Sequence, residues 1–161
     1  MSRLQTLLAM ISGLVSVATL LLAVLDGAAP VLFLAFAAAG ALTLIRFRLP
    51  LPFWVDALLA LLGAIALLAT LPVYETAPAF FWFGLLGFWG FAWLSAERLS
   101  QAIRLGEMPE TGFGLLIPIV FGLALLFVWE VVTRGANVPQ VLLPAPSQIW
   151  ARLIDSVPTL I

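Results

Sequence analysis

Few residues in this sequence could do chemistry, and their types exclude most catalytic mechanisms. Cysteine and histidine are both absent, which removes thiol nucleophiles, disulfides, zinc sites, histidine general bases and imidazole ligation of haem or chlorophyll. Asp56 and Glu75 lie at opposite ends of one apolar segment, too far apart at about 1.5 Å per helical residue to act as a catalytic pair. We therefore expect no enzyme active site, no cofactor and no metal site.

Glu130 is a carboxylate near the end of another apolar segment, four residues before Arg134. This acid-before-base order at four-residue spacing is typical of a helical ion pair worth a few tenths of a kcal/mol. Carboxylates inside a membrane can also serve as proton or substrate sites, but this one is close enough to the segment end to reach water. A structural pair is the favoured interpretation.

A dense group of aromatic side chains occupies residues 80–93. One interpretation is a surface for a flat apolar ligand such as a quinone or carotenoid. The favoured one is anchoring at the membrane interface together with lipid contact or helix packing. The residues are Phe80, Phe81, Trp82, Phe83, Phe88, Trp89, Phe91 and Trp93.

The composition places these groups in a membrane protein. Of 161 residues, 64% are hydrophobic and 9% are charged, and the mean hydropathy is +1.20, whereas a soluble domain carries roughly 25% charged residues. The net charge of −1 comes with scattered basic residues, which excludes nucleic acid and polybasic binding to anionic lipids.

Apolar runs bounded by charge, proline or glycine predict an all-α, polytopic transmembrane bundle of about five spans, since about 20 helical residues cross a bilayer. Asp56 is near enough to the start of the third run to reach the lipid head groups. The predicted spans are Leu4–Leu25, Val31–Ile45, Phe53–Tyr74, Ala77–Ala96 and Phe113–Val132.

The arginine distribution predicts the orientation of these spans, because Lys and Arg accumulate on the cytoplasmic side. Two arginines follow the last span, Arg134 and Arg152, and the other short loops on that side have none. We expect a bacterial inner-membrane protein with its N-terminus inside and its C-terminal tail outside. The five arginines assigned to the inside are Arg3, Arg46, Arg48, Arg98 and Arg104.

Small residues recur where helices could approach closely. The fourth span carries Gly84, Gly87 and Gly90 at three-residue spacing, a pattern that favours backbone contact between helices in lipid without identifying the neighbouring helix. We interpret these glycines as packing positions in a bundle.

The tail after the last span predicts a short amphipathic helix. Paired prolines keep the chain extended, and Pro146 or Ser147 opens the helix. Its apolar stripe lies opposite a polar face, so it could bury at the membrane interface or against helices that this chain lacks. The stripe comprises Ile149, Trp150, Leu153, Ile154 and Val157.

The tail resembles a known family. FGLALLFVWE at 121–130, then Asn137-Val138-Pro139 and Leu142 to Trp150 (LLPAPSQIW), are similar to the beginning of the permease subunit of ATP-binding-cassette importers of the nitrate, sulfonate and taurine class. In that family the first core helix often ends in Trp-Glu, and an outward loop leads to a Leu-Pro-x-Pro-Ser segment. The resemblance covers residues 113–161.

The resemblance implies that residues 1–112 form a four-span extension and 113–161 the start of a permease core, separated by the mixed-charge loop Glu97–Gly112. A complete permease would bind ATPase subunits and a soluble substrate-binding protein, through later segments absent here, so we expect no transport by this chain alone. The alternative is a small accessory subunit packed against a larger photosynthetic or respiratory complex. In both cases the partners are membrane lipid and other transmembrane helices or subunits.

Overall fold

The computed structural model describes residues 3–28, 30–46, 49, 51–52, 54–109 and 114–156. The regular secondary structure in this part of the chain is all helix, without a strand, which confirms the predicted all-α class there. Its six helices are α1 (Arg3–Leu25), α2 (Pro30–Arg46), α3 (Trp54–Thr70), α4 (Ala79–Arg104), α5 (Leu116–Gly135) and α6 (Pro146–Ser156).

Three of these helices, α1, α4 and α5, are long and apolar enough to cross a membrane. The other two apolar helices, α2 and α3, have 17 residues each. At 1.5 Å per residue they extend about 25 Å, somewhat less than a hydrocarbon core of about 30 Å. Length and composition therefore indicate a membrane protein in which three of the described helices are able to span the bilayer.

The end of α3 differs from the predicted span. The helix ends at Thr70 rather than at Tyr74, because Pro72 cannot donate a backbone hydrogen bond and disfavours helical geometry at the preceding residue. The predicted start, Phe53, lies outside the described residues.

The end of α4 also differs, since the helix continues two turns past the predicted Ala96 to Arg104. Charged residues limit a hydrophobic segment, but they do not end a helix when their side chains find partners. Similarly, α5 continues past the predicted Val132 to Gly135. Its predicted start, Phe113, and the domain boundary at Gly112 lie outside the described residues.

Three helices end with the same backbone motif. Gly27, Gly106 and Asn137 all have positive φ, at 67°, 73° and 50°. In each case the next residue donates its N–H to a carbonyl five residues back, for example Val138 to Thr133 at 2.9 Å. This Schellman arrangement satisfies carbonyls that the helix end would leave unpaired, and it favours glycine or asparagine at the left-handed position.

Helix α4 lies at the centre of the bundle. It packs against α1 on one side and against α3 and α5 on others, while α2 packs against α1 and α3. Within the most apolar 18 residues of each helix, 56% are buried in α4, 33% in α1 and 17% in α5. Most of the surface of α5 is therefore open to lipid or to another helix.

Contacts at the helix ends show that α4 runs antiparallel to its neighbours. Gln5 near the start of α1 donates a 2.7 Å hydrogen bond to Gln101 near the end of α4. At the opposite end of the bundle, the Ala77 N–H before α4 bonds the Gly135 carbonyl at the end of α5 at 2.9 Å. Consecutive helices thus traverse the bundle in alternating directions, as spans joined by short loops do.

The core is formed mainly by α4, which buries side chains on more than one face. Its buried aromatic and aliphatic side chains pack against α3 and α5, with a smaller cluster around Phe36, Ala66 and Phe80. Members of the main cluster include Leu59, Leu67, Phe81, Leu85, Phe88, Phe91, Ala124 and Val131.

Candidate functional site

The three glycines of α4 lie at contacts with three different helices. A Cβ on Gly84 would come within 2.9 Å of the Phe36 ring in α2 and 3.3 Å of Leu67 in α3. A Cβ on Gly87 would lie 3.3 Å from the Ser16 hydroxyl, and one on Gly90 would overlap the side chain of Ser12. Glycine lets α1, α2 and α3 approach α4 this closely, which is how small residues act at helix interfaces in lipid.

A buried ion pair joins α3 to α4. Asp56 has no exposed surface, and its carboxylate accepts a 2.6 Å hydrogen bond from Arg98, whose side chain is 15% exposed. Arg98 also donates to the carbonyls of Pro52, at 3.4 Å, and of Leu51. The guanidinium therefore connects the end of α4 to the start of α3 and to the loop before it.

The sequence predicts that Asp56 is near enough to its helix start to reach the head groups, and the residue does lie in the first turn of α3. Its carboxylate points into the bundle, where Arg98 supplies an opposite charge. Sequence reasoning placed Arg98 only among the cytoplasmic charges. The sequence did indicate that Asp56 and Arg98 lie on the same side of the membrane, which is a condition for their pairing.

A second polar cluster joins α5 to α6. The Glu130 carboxylate lies 3.3 Å from Arg134, and it also accepts hydrogen bonds from the Ser147 backbone N–H at 2.9 Å and hydroxyl at 2.7 Å. Ser147 is in the first turn of α6, where N–H groups lack helical partners and a negative charge is favourable. Glu130 thus caps α6 from the neighbouring helix, a role that the sequence interpretation missed.

The aromatic residues of α4 are distributed between the core and the surface. Phe80, Phe81 and Phe91 are almost fully buried, whereas Phe83 and Trp93 are exposed. Two others contact α5: the ring centroids of Phe88 and Phe127 are 4.5 Å apart, and Trp89 and Phe121 are 5.6 Å apart. Packing between helices therefore accounts for most of this group.

Two cavities of similar size lie in different parts of the bundle. One, of about 320 Å³, is an apolar groove lined by α3, α4 and α5 side chains such as Ala60, Ala92 and Ala124. The other, of about 340 Å³, is polar and lies under the loop between α5 and α6, next to Arg134 and Gln140. Neither groups acids and bases as a catalytic site would.

The predicted interface residues of α6 all face outward. Trp150, Leu153 and Ile154 are 64%, 55% and 53% exposed, and none of the residues of α6 is buried. The helix contacts the rest of the described chain through α5. The described part of the apolar stripe is thus uncovered in the isolated chain; its last predicted member, Val157, lies outside the described residues.

Among the described residues, no group of three acidic side chains is close enough to hold a metal ion. Comparison of the chain with protein-family models, with curated proteins and with solved structures finds no match in any of the three. The class is therefore defined by the helices of the described residues: their regular structure is all-helical, and three of the helices are long and apolar enough to cross a membrane.

Proposed function

We propose that the chain is the N-terminal membrane part of an ATP-binding-cassette importer permease of the nitrate, sulfonate and taurine class. The observation that carries the proposal is the contact between Glu130 and Ser147. These residues belong to the two motifs on which the resemblance rests, and they lie 17 positions apart in sequence. A hydrogen bond between them gives a physical reason for the two motifs to occur together.

In this proposal all five apolar helices cross the bacterial inner membrane, with the start of α1 in the cytoplasm. The orientation is supported by the arginine distribution and by the contacts that bring Gln5, Gln101 and the 51–52 loop to the same end of the bundle as Arg98. Residues 1–112 would be an extension that packs beside the permease core, and α5 would be the first core helix.

Affinity purification from the native organism tests this function. The chain, tagged at its N-terminus from the chromosomal locus, is expected to co-purify with an ATPase subunit and with permease helices that follow α6. Recovery of a photosynthetic or respiratory complex instead would contradict the proposal and support an accessory subunit.

A second measurement addresses residues 1–161 alone. Expressed as a separate polypeptide, they are expected to retain no ATPase subunit and to move no solute, because coupling in the proposed family uses a cytoplasmic loop late in the core. At the end of α4 and just after it, Arg104 and Glu107 are exposed, and exposed ion pairs contribute only about 0 to 1 kcal/mol each. If this polypeptide bound an ATPase subunit stoichiometrically in high salt, the ATPase contact would lie within residues 1–161, and its assignment to a later loop would be refuted.

A further inference from the structure

We propose that α6 lies in the interfacial layer of the bilayer, with its apolar stripe inserted among lipids beside the end of α5. The occupant of this uncovered surface is thus the membrane itself, rather than a protein partner. The inference does not depend on the proposed transport function, because it concerns only how this segment is held relative to α5.

The depth of α6 follows from its connection to Glu130. That residue lies five positions before the end of α5, which is about 7 Å along the helix axis. Because Ser147 bonds the Glu130 carboxylate, the first turn of α6 is held below the end of a helix that is apolar and long enough to span. An amphipathic helix at an interface inserts to a similar depth, about 5–10 Å.

The rotation of α6 follows from its polar side. Arg152 donates a 3.3 Å hydrogen bond to Gln140 in the loop beyond α5, and Gln148 accepts one from the Ala145 N–H at 3.1 Å. Gln140 and Gln148 also line the polar cavity under that loop. These contacts direct the polar face toward the loop, so the stripe containing Trp150 and Leu153 is directed away from it.

The surface exposed at this end has the composition of a membrane interface. Trp150 is of the type enriched where bilayer and water meet, and Val141 and Leu142 just before α6 are 95% and 77% exposed. On α5, Leu123 is likewise 61% exposed. Leaving exposed apolar side chains of this kind in water would be costly at roughly 25 cal/mol per Å².

The charges of α6 make the proposal specific about lipid type. Arg152 and Asp155 are its only charged residues and cancel each other. Interfacial helices that depend on anionic lipid carry many basic residues on the polar face. Insertion of α6 is therefore expected to be driven by apolar burial and to be equal in zwitterionic and anionic bilayers.

The absence of cysteine from the sequence allows a direct test with single-cysteine variants of the whole chain. Leu153→Cys lies on the apolar stripe and Asp155→Cys about 200° around the helix on the polar face, and both side chains are exposed. Each variant is labelled with a small fluorophore and reconstituted in lipid nanodiscs, where both membrane surfaces are accessible. Leu123→Cys on α5 serves as the lipid-facing reference.

We expect the label at 153 to be quenched several-fold more by lipid spin-labelled near the head group than by aqueous iodide, and the label at 155 to show the reverse. The ratio should stay the same when anionic lipid is added. Equal access of iodide to both labels would overturn the proposal by placing α6 in water. Protection of the 153 label from both quenchers would overturn it as well, since a protein surface would then cover the stripe.

Discussion

At the scale of single residues, two ion pairs that involve α4 differ in how deeply they are buried. Asp56 and Arg98 are buried together, whereas Arg104 and Glu97 lie 3.8 Å apart with the arginine 67% exposed. Removing one partner of a buried pair leaves an uncompensated charge, but an exposed pair is replaced by water. The two arginines of α4 should therefore differ strongly in their effect on stability.

Arg98→Gln is expected to lower the free energy of unfolding by about 3 to 5 kcal/mol, because Asp56 would remain buried without a counter-charge. The matched control, Arg104→Gln, should change it by about 1 kcal/mol or less. Unfolding of the purified chain by a denaturing detergent in mixed micelles, followed by circular dichroism, measures both. Adding Asp56→Asn to Arg98→Gln should restore part of the loss; an additive further loss would contradict the pairing.

Glu130→Ala is expected to free the first turn of α6, because the Ser147 N–H and hydroxyl lose their acceptor. Loss of such a cap costs about 1 kcal/mol, so amide hydrogen exchange in residues 147–151 should accelerate about five-fold. Arg134→Ala is the control, since it removes a half-exposed partner and leaves the carboxylate in place. Equal acceleration in the two variants would show that the ion pair, not the cap, holds α6.

At the scale of helices, the packing of the bundle depends on how closely the neighbouring helices approach α4. The glycines of α4 lie against α1, α2 and α3, whereas Gly122 in α5 has open space where a Cβ would be. The same substitution at these two kinds of position should therefore have opposite effects.

Gly90→Ala is expected to destabilise the chain by about 1 to 3 kcal/mol, since a methyl group there would overlap Ser12 and force α1 to shift. Gly122→Ala should instead stabilise by about 0.5 to 1 kcal/mol, because alanine restricts the unfolded chain and nothing obstructs it. The detergent unfolding assay distinguishes the two. Ser12→Gly should recover stability in the Gly90→Ala background, and failure to do so would argue against a direct contact.

At the scale of the whole molecule, the alternating direction of the helices predicts which loops share a membrane side. The loop containing Leu51 and Pro52 lies beside the end of α4, and Gln5 at the start of α1 does so too. The start of α4 lies beside the end of α5. Five crossings would therefore place these two groups of helix ends on opposite sides of the membrane.

Single cysteines at Ser2, Leu49, Glu75 and Ser156 test this arrangement in intact cells. An impermeant thiol reagent is expected to label Glu75→Cys and Ser156→Cys but to reach Ser2→Cys and Leu49→Cys only after the cells are opened, because arginines concentrate on the latter side. Labelling of Ser2→Cys but not of Ser156→Cys in intact cells would show that the orientation is the opposite of the one expected. Labelling of Leu49→Cys in intact cells would exclude a full crossing by α2.

The sequence by itself determined the helical class and the positions of most helices. Apolar runs of spanning length must satisfy their backbone hydrogen bonds internally, so they form helices whatever their neighbours are. Prolines mark several boundaries for equally local reasons: α2 begins at Pro30 and α6 at Pro146, while Pro72 ends α3 early. The spacing of Glu130 and Arg134 likewise depends on one helix alone.

Only the tertiary structure decided which helices are neighbours and where their polar groups meet. In lipid the buried and exposed faces are both apolar, so periodicity does not reveal that α4 is central or which helices meet Gly84 and Gly90. Asp56 and Arg98 are 42 residues apart, and Glu130 and Ser147 are 17 apart. Such contacts depend on how the chain reverses between helices, and spacing along the sequence carries no information about that geometry.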